Sequence, residues 1–139
     1  MHLLGLDWGT KNIGLALSDL EGRVAFPYDV ILAQPFDTFL KTLKNVIQKE
    51  QVKGVVVGVP KGTLREPQAR EFAARLQGAL GVPVKTQNES RSTKAVGEIK
   101  KSKQTRRGRS KIYQTLARKR DQFSAAMILQ EFLDGSRKL

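Results

Sequence analysis

The chain has 139 residues, 25 Lys/Arg against 13 Asp/Glu, a formal net charge of +12 and no cysteine. That length can bury a core without staples, and the missing cysteines exclude disulfides and zinc–thiolate centres. No apolar run approaches the ~20 residues of a bilayer span, and Gly5 and Asp7 interrupt the opening apolar stretch, so the expectation is one cytoplasmic domain over residues 1–139 with no membrane association.

Three strand-like runs come first, at roughly residues 2–8, 12–19 and 22–32. The turn at Gly9 and the segment Asp19–Gly22 join them through short connections, which predicts an antiparallel meander. Phe36, Phe39, Leu40, Leu43, Val46 and Ile47 then recur at helical spacing. The apolar run Gly54–Pro60 reads as a strand covered on both faces. A second helix carries Phe72, Ala73, Leu76, Ala79 and Leu80 and stops at Gly81. Its start is ambiguous, because Thr63 has capping-box spacing to Glu66 while Pro67 favours a cap at Glu66.

Val82–Thr86 is a fifth, shorter strand, followed by a helix from near Ser92 to about Lys103. Residues 102–110 are expected to form a mobile basic loop, since 104–110 lack any apolar anchor. A last helix begins at Lys111 or Asp121 and ends at Asp134, before Gly135. The order βββ-α-β-α-β-α-α predicts an α/β fold: a five-stranded mixed sheet, meander plus parallel strands, with helices on both faces.

Charge is concentrated. Residues 85–120 hold thirteen Lys/Arg against two Asp/Glu, a net of +11, which is nearly the whole excess. A block of one sign attracts a polyanion, and nucleic acid is the leading partner. The bland reading, a solvated basic face, usually mixes both signs.

Three acids flank this block. Asp7 ends the first strand at a glycine turn, where a fixed carboxylate suits a hard cation; the plainer reading is a turn residue. Glu89 follows the fifth strand, at the carboxyl end where α/β sheets gather ligands. Asp121 shares a helical stripe with Ala125, Ile128 and Phe132, so it faces the sheet, where an unpaired charge is costly; the alternative is a helix N-cap. Converging carboxylates repel unless cations sit between them. Two ions roughly 4 Å apart would activate water for phosphodiester hydrolysis. Asp19 and Asp29 read as turn and strand-end residues, His2 as a strand-edge residue, and Trp8 as either a base-stacking ring or a cover for the hairpin tip.

The segment Gly5-Leu6-Asp7-Trp8-Gly9-Thr10-Lys11-Asn12-Ile13-Gly14-Leu15-Ala16-Leu17-Ser18-Asp19 resembles the opening motif of the bacterial proteins provisionally named pre-16S rRNA nucleases. They are also called Holliday-junction-resolvase-like and belong to the ribonuclease-H-like superfamily. Val55–Pro60 with Glu66–Ala69, Asn88–Thr93, and Asp121–Leu129 are similar to its later motifs, in the same order. The chain departs from that pattern in a shortened 60–65 loop, in Asn88 before Glu89, and in placing its basic residue at Arg91.

The resemblance implies a ribonuclease-H-like fold and a metal-dependent endonuclease acting on structured RNA, an rRNA precursor in ribosome biogenesis. A branched-DNA resolvase, or a binding protein without catalysis, are the alternatives. Asp7, Glu89 and Asp121 are the expected catalytic residues and ligands of two Mg2+ or Mn2+ ions. Lys11, Arg91, Lys103, Arg106, Arg107, Arg109, Lys111, Arg118, Lys119 and Arg120 are the expected phosphate contacts, in a monomer or homodimer.

Overall fold

The protein is described by a computed structural model covering residues 1–89 and 111–137, with side chains from 119 to 136 in the second span. The helix expected near 92–103 and the basic loop of 102–110 lie outside the described residues. The elements are β1 (His2–Asp7), β2 (Asn12–Ser18), β3 (Ala25–Leu32), α1 (Phe36–Lys49), β4 (Val52–Val59), α2 (Glu66–Ala79), β5 (Val84–Asn88) and α3 (Lys111–Arg137).

The strands form one sheet in the order β3-β2-β1-β4-β5. The β1–β2 and β2–β3 pairs are antiparallel, and the β1–β4 and β4–β5 pairs are parallel. This is the mixed sheet that the short early and long later connections require. β1 is therefore central and β5 an edge strand.

Alternation along β1 divides the molecule into two layers. Leu4 and Leu6 join Ile13, Leu15, Val55 and Val57 against Phe39, Leu43, Phe72 and Leu76 of α1 and α2. Leu3 on the other face joins Ala16 and Val56 against Ala125, Ile128, Leu129 and Leu133 of α3. No helix among the described residues is long and apolar enough to cross a membrane.

The second face is paved with small residues, which lets α3 lie close to the sheet. A Cβ on Gly5 would stand 2.8 Å from Leu129 Cβ. One on Gly14 would overlap the carbonyl oxygen of Asp121, and one on Gly58 would overlap the Ile128 side chain. Contacts this tight are forbidden to any larger residue, so three glycines on three strands fix where α3 rests.

Several boundaries differ from the sequence reading. β3 starts at Ala25, because Asp19 Oδ1 accepts from the amides of Arg23 (2.8 Å) and Val24 (3.4 Å) and holds them in a turn. β5 spans 84–88, since Pro83 has no N–H for a ladder. α2 is capped at Arg65. Thr63 Oγ1 accepts from the Arg65 amide at 3.2 Å, and Glu66 Oε1 from the Gly62 amide at 2.7 Å. The two side chains thus tie up amides of the loop before the helix instead of forming a reciprocal capping box. α3 is continuous from Lys111 and runs through Gly135 to Arg137, because a glycine in a final turn weakens a helix without ending it.

Candidate metal and nucleic-acid site

Asp7 is the last β1 residue paired with β2, opposite Gly14. Directly opposed residues share a face, so Asp7 lies on the α3 side. Asp121 rests its backbone on that same Gly14. The pairing that ends β1 and the glycine that admits α3 therefore bring the two acids to one place. Asp121 is the eleventh residue of α3, which begins at Lys111; its position rules out the N-cap reading.

Glu89 is fixed from the far side of the sheet. Its amide donates to Val59 O at 2.9 Å, extending the β4–β5 ladder one step beyond Asn88. β5 lies two strands from β1, about 10 Å away at the usual strand spacing, and the Glu89 charge still acts on Asp7.

Electrostatics records the convergence. The Asp7 pKa is pushed from 3.8 up to about 7, first by burial, then by the charges of Glu89 and Asp121. Arg65 and Arg120 partly offset this. Glu89 is also raised, chiefly by burial and further by Glu131, with Arg65 opposing. Such an acid is a proton-holding carboxyl near neutral pH in a field that calls for a cation. Among the described residues no three acidic or His side chains enclose a metal cage, so the acids form a coupled neighbourhood rather than a closed coordination sphere.

The basic residues divide into three groups. Arg120 Nη2 donates to Asp121 Oδ1 at 3.0 Å, with side chains only 21% and 17% exposed, and the buried Arg120 Nε has no hydrogen-bond partner among the described residues. It is placed as a counter-ion within the acid group. Lys11 and Lys119 are exposed. Lys111 and Arg118 lie on α3, with side chains outside the described set, and Arg91, Lys103, Arg106, Arg107 and Arg109 lie wholly outside it.

Two charged residues of this neighbourhood carried no signal in the sequence reading. Arg65 donates through Nη2 to Trp8 O at 2.7 Å and lies 5.4 Å over the Trp8 ring, so the short 60–65 loop delivers a cation beside Asp7 and Glu89. Only the departure of that loop from the family pattern marked it. Glu131 stands ten residues after Asp121 on α3, nearly three turns along the helix. Asp19 serves its turn as expected, and Asp29 Oδ1 accepts from the Val30 amide at 2.7 Å.

A mixed sheet in this order, helices on both faces and acids at the end of the central strand define a ribonuclease-H-like protein. Solved structures share the fold: fowlpox virus resolvase, determined with Holliday junction DNA (TM-score 0.57, 13% identity, 98% of this chain and 99% of that one), and Thermus thermophilus RuvC with a Holliday junction substrate (0.56, 14%, 99% and 96%).

The family described as "RuvX: Holliday junction resolvase" matches residues 1–135, and the chain belongs to that family. Curated relatives provisionally named pre-16S rRNA nuclease include proteins of Moorella thermoacetica (37% identical, 96% of this chain, 95% of the relative) and Oleidesulfovibrio alaskensis (34%, 96% and 92%). Another, from Halothermothrix orenii, is 33% identical over 100% of this chain and 99% of its own length.

Proposed function

We propose that this chain is a divalent-metal-dependent endonuclease that hydrolyses phosphodiester bonds of structured RNA and trims the 5′ end of pre-16S rRNA in the cytoplasm. Family membership and the resolvase fold support a nuclease. The names of the curated relatives favour the RNA substrate. The observation that carries the reading is Asp7, held near pKa 7 by burial and by two neighbouring carboxylates.

The donor set fits Mg2+ or Mn2+, being carboxylate oxygen throughout. Asp7, Glu89 and Asp121 would hold the ions. Bound ions of this kind supply an activated water and stabilise the leaving oxygen. Asp7 must lose its proton to bind an ion, so metal affinity in titration rises with pH up to about 7. Arg65, already beside Asp7 and Glu89, is placed to meet a phosphate oxygen at the rim. The +11 segment of residues 85–120 holds the flanking backbone.

The family description favours a second reading, cleavage of branched DNA. One experiment separates them: the protein is incubated with precursor rRNA and with a four-way DNA junction, each with and without Mg2+ or Mn2+. Metal-dependent cleavage of the RNA supports the proposal. Junction cleavage, especially by a stable two-fold dimer, moves the assignment to a resolvase. Binding of both without cleavage at millimolar metal makes the chain a binding protein.

A further inference from the structure

On the opposite side of β1 from Asp7, the turn after that strand forms one wall of a pocket of about 210 Å³. Trp8, Phe36 and Phe72 supply aromatic surface, and Gln34, Gln68, Glu71 and Arg75 supply polar groups. Trp8 and Phe72 are tilted at 45° with centroids 6.4 Å apart, and the Arg75 guanidinium lies 3.8 Å over the Phe36 ring. The volume is below the ~300 Å³ at which pockets for drug-sized ligands begin. It suits one ring system.

We infer that this pocket takes a single nucleobase, turned out of the substrate strand next to the bond that is cut. The inference rests on the nuclease reading and deepens it. Three observations support it. First, aromatic walls with amide, carboxylate and guanidinium edges are the chemistry that stacks a base and hydrogen-bonds its rim. Second, Trp8 directly follows Asp7, so a wall of the pocket and the first of the acids are adjacent in the chain. Third, Arg65 bridges the two. It donates to Trp8 O and lies over the indole, at the residue that directly follows Asp7. A phosphate at Arg65 thus has the acids on one side and the pocket on the other.

Among the bases, guanine matches the polar groups. Its N1–H and N2–H edge can donate to the Glu71 carboxylate, while O6 and N7 can accept from Arg75 or from the Gln34 and Gln68 amides. Cleavage would then depend on which base flanks the scissile phosphate, giving a protein otherwise held by backbone charge a means of choosing its site.

Trp8 is the chain's one tryptophan, so its fluorescence reports directly on the pocket. The full-length protein, free of divalent metal, is titrated with guanosine monophosphate, uridine monophosphate and ribose 5-phosphate. Saturable quenching by the guanosine nucleotide is expected, at least tenfold tighter than by the uridine nucleotide. In Gln68→Phe, which plugs the pocket from an exposed position on α2, affinity should fall about tenfold or more. Circular dichroism confirms that the variant is folded, and Glu71→Ala provides a second variant should it not be. No saturable quenching, equal quenching by ribose 5-phosphate, or quenching untouched in both variants overturns the inference. The titration needs no hydrolysis, so it can succeed where Asp7→Asn refutes the nuclease reading, and the reverse.

Discussion

Replacing Asp7 by Asn should stabilise the metal-free protein at pH 8 while abolishing cleavage. In the folded state the Asp7 pKa is about 7 against an ordinary 3.8. The folded form therefore holds its proton more tightly than the unfolded form. Stability from this group falls as pH rises from about 4 to about 7, then levels off. A difference of roughly 3 pKa units corresponds to about 4 kcal/mol of ionisation penalty above pH 7. Asp7 is only partly shielded from solvent, and water or ions drawn to the charge reduce the penalty, so about 2–4 kcal/mol is expected.

For a chain of this size that is a rise in Tm of roughly 6–15 °C. Thermal unfolding in EDTA, with wild type and variant compared from pH 8 down to pH 4, measures it. The advantage of the variant should shrink as pH drops through 7 and nearly vanish by pH 4. Millimolar Mg2+ or Mn2+ should raise the wild-type Tm at pH 8 and leave the variant unmoved. An equal or lower Tm for the variant at pH 8 would refute the claim that neighbouring carboxylates press on Asp7. Retained turnover would remove it from the catalytic set.

Arg65→Gln should lower kcat by about 10- to 100-fold and move the pH dependence of metal binding upward, because an offsetting charge beside Asp7 and Glu89 is gone; an unmoved pH dependence counts against its placement. Gly14→Ala should cost about 3 kcal/mol or more in denaturant unfolding and weaken metal binding, since its methyl meets the Asp121 backbone. A neutral outcome would mean that α3 does not rest there. Asp121→Ala should weaken metal affinity in calorimetry far more than it lowers Tm, and the reverse ranking would make Asp121 a structural partner of Arg120. Replacing Arg106, Arg107 and Arg109 together by Ala should reduce the slope of log K against log salt for RNA by about 2, near 0.7 per lost phosphate contact; an unchanged slope would show that these residues do not touch phosphate.

The sheet was readable because its signals are local. Short connections made β1–β3 a meander, and the valine-rich run of β4 announced burial on both faces. Asp7 and Glu89 were readable as candidates because each stands at the carboxyl end of a strand, and Asp121 because it shares a helical stripe with apolar residues. Their mutual repulsion follows from convergence, but what packs Asp121 against Asp7 was not legible, since it depends on Gly14 admitting the α3 backbone, and a glycine in a strand says nothing of which helix will use the space. The sequence offers two starts for α3, Lys111 and Asp121, because the first ten residues are mostly basic and polar, with little apolar period to follow; the structure has Lys111. Arg65 and the aromatic pocket were hidden for a different reason. They join residues from β1, α1 and α2 that are distant in sequence, and hydrophobic periodicity assigns Phe36 and Phe72 to the core without showing that space remains beside them.

Asp7 belongs to the innermost strand, hydrogen-bonded on both sides, whereas Glu89 hangs from a five-residue edge strand and Asp121 from a helix held by packing and by the Gln130 amide, which accepts from Ala25 N and donates to Arg23 O. Amides of β1 should exchange with solvent only on global unfolding, while β5 and α3 can open locally at lower free energy. A cation shared by the three acids would tie these less stable pieces to the most stable one. Its binding energy would then appear as slowed exchange at the edge strand and the helix, and the protein would be most firmly closed when it is ready to cut.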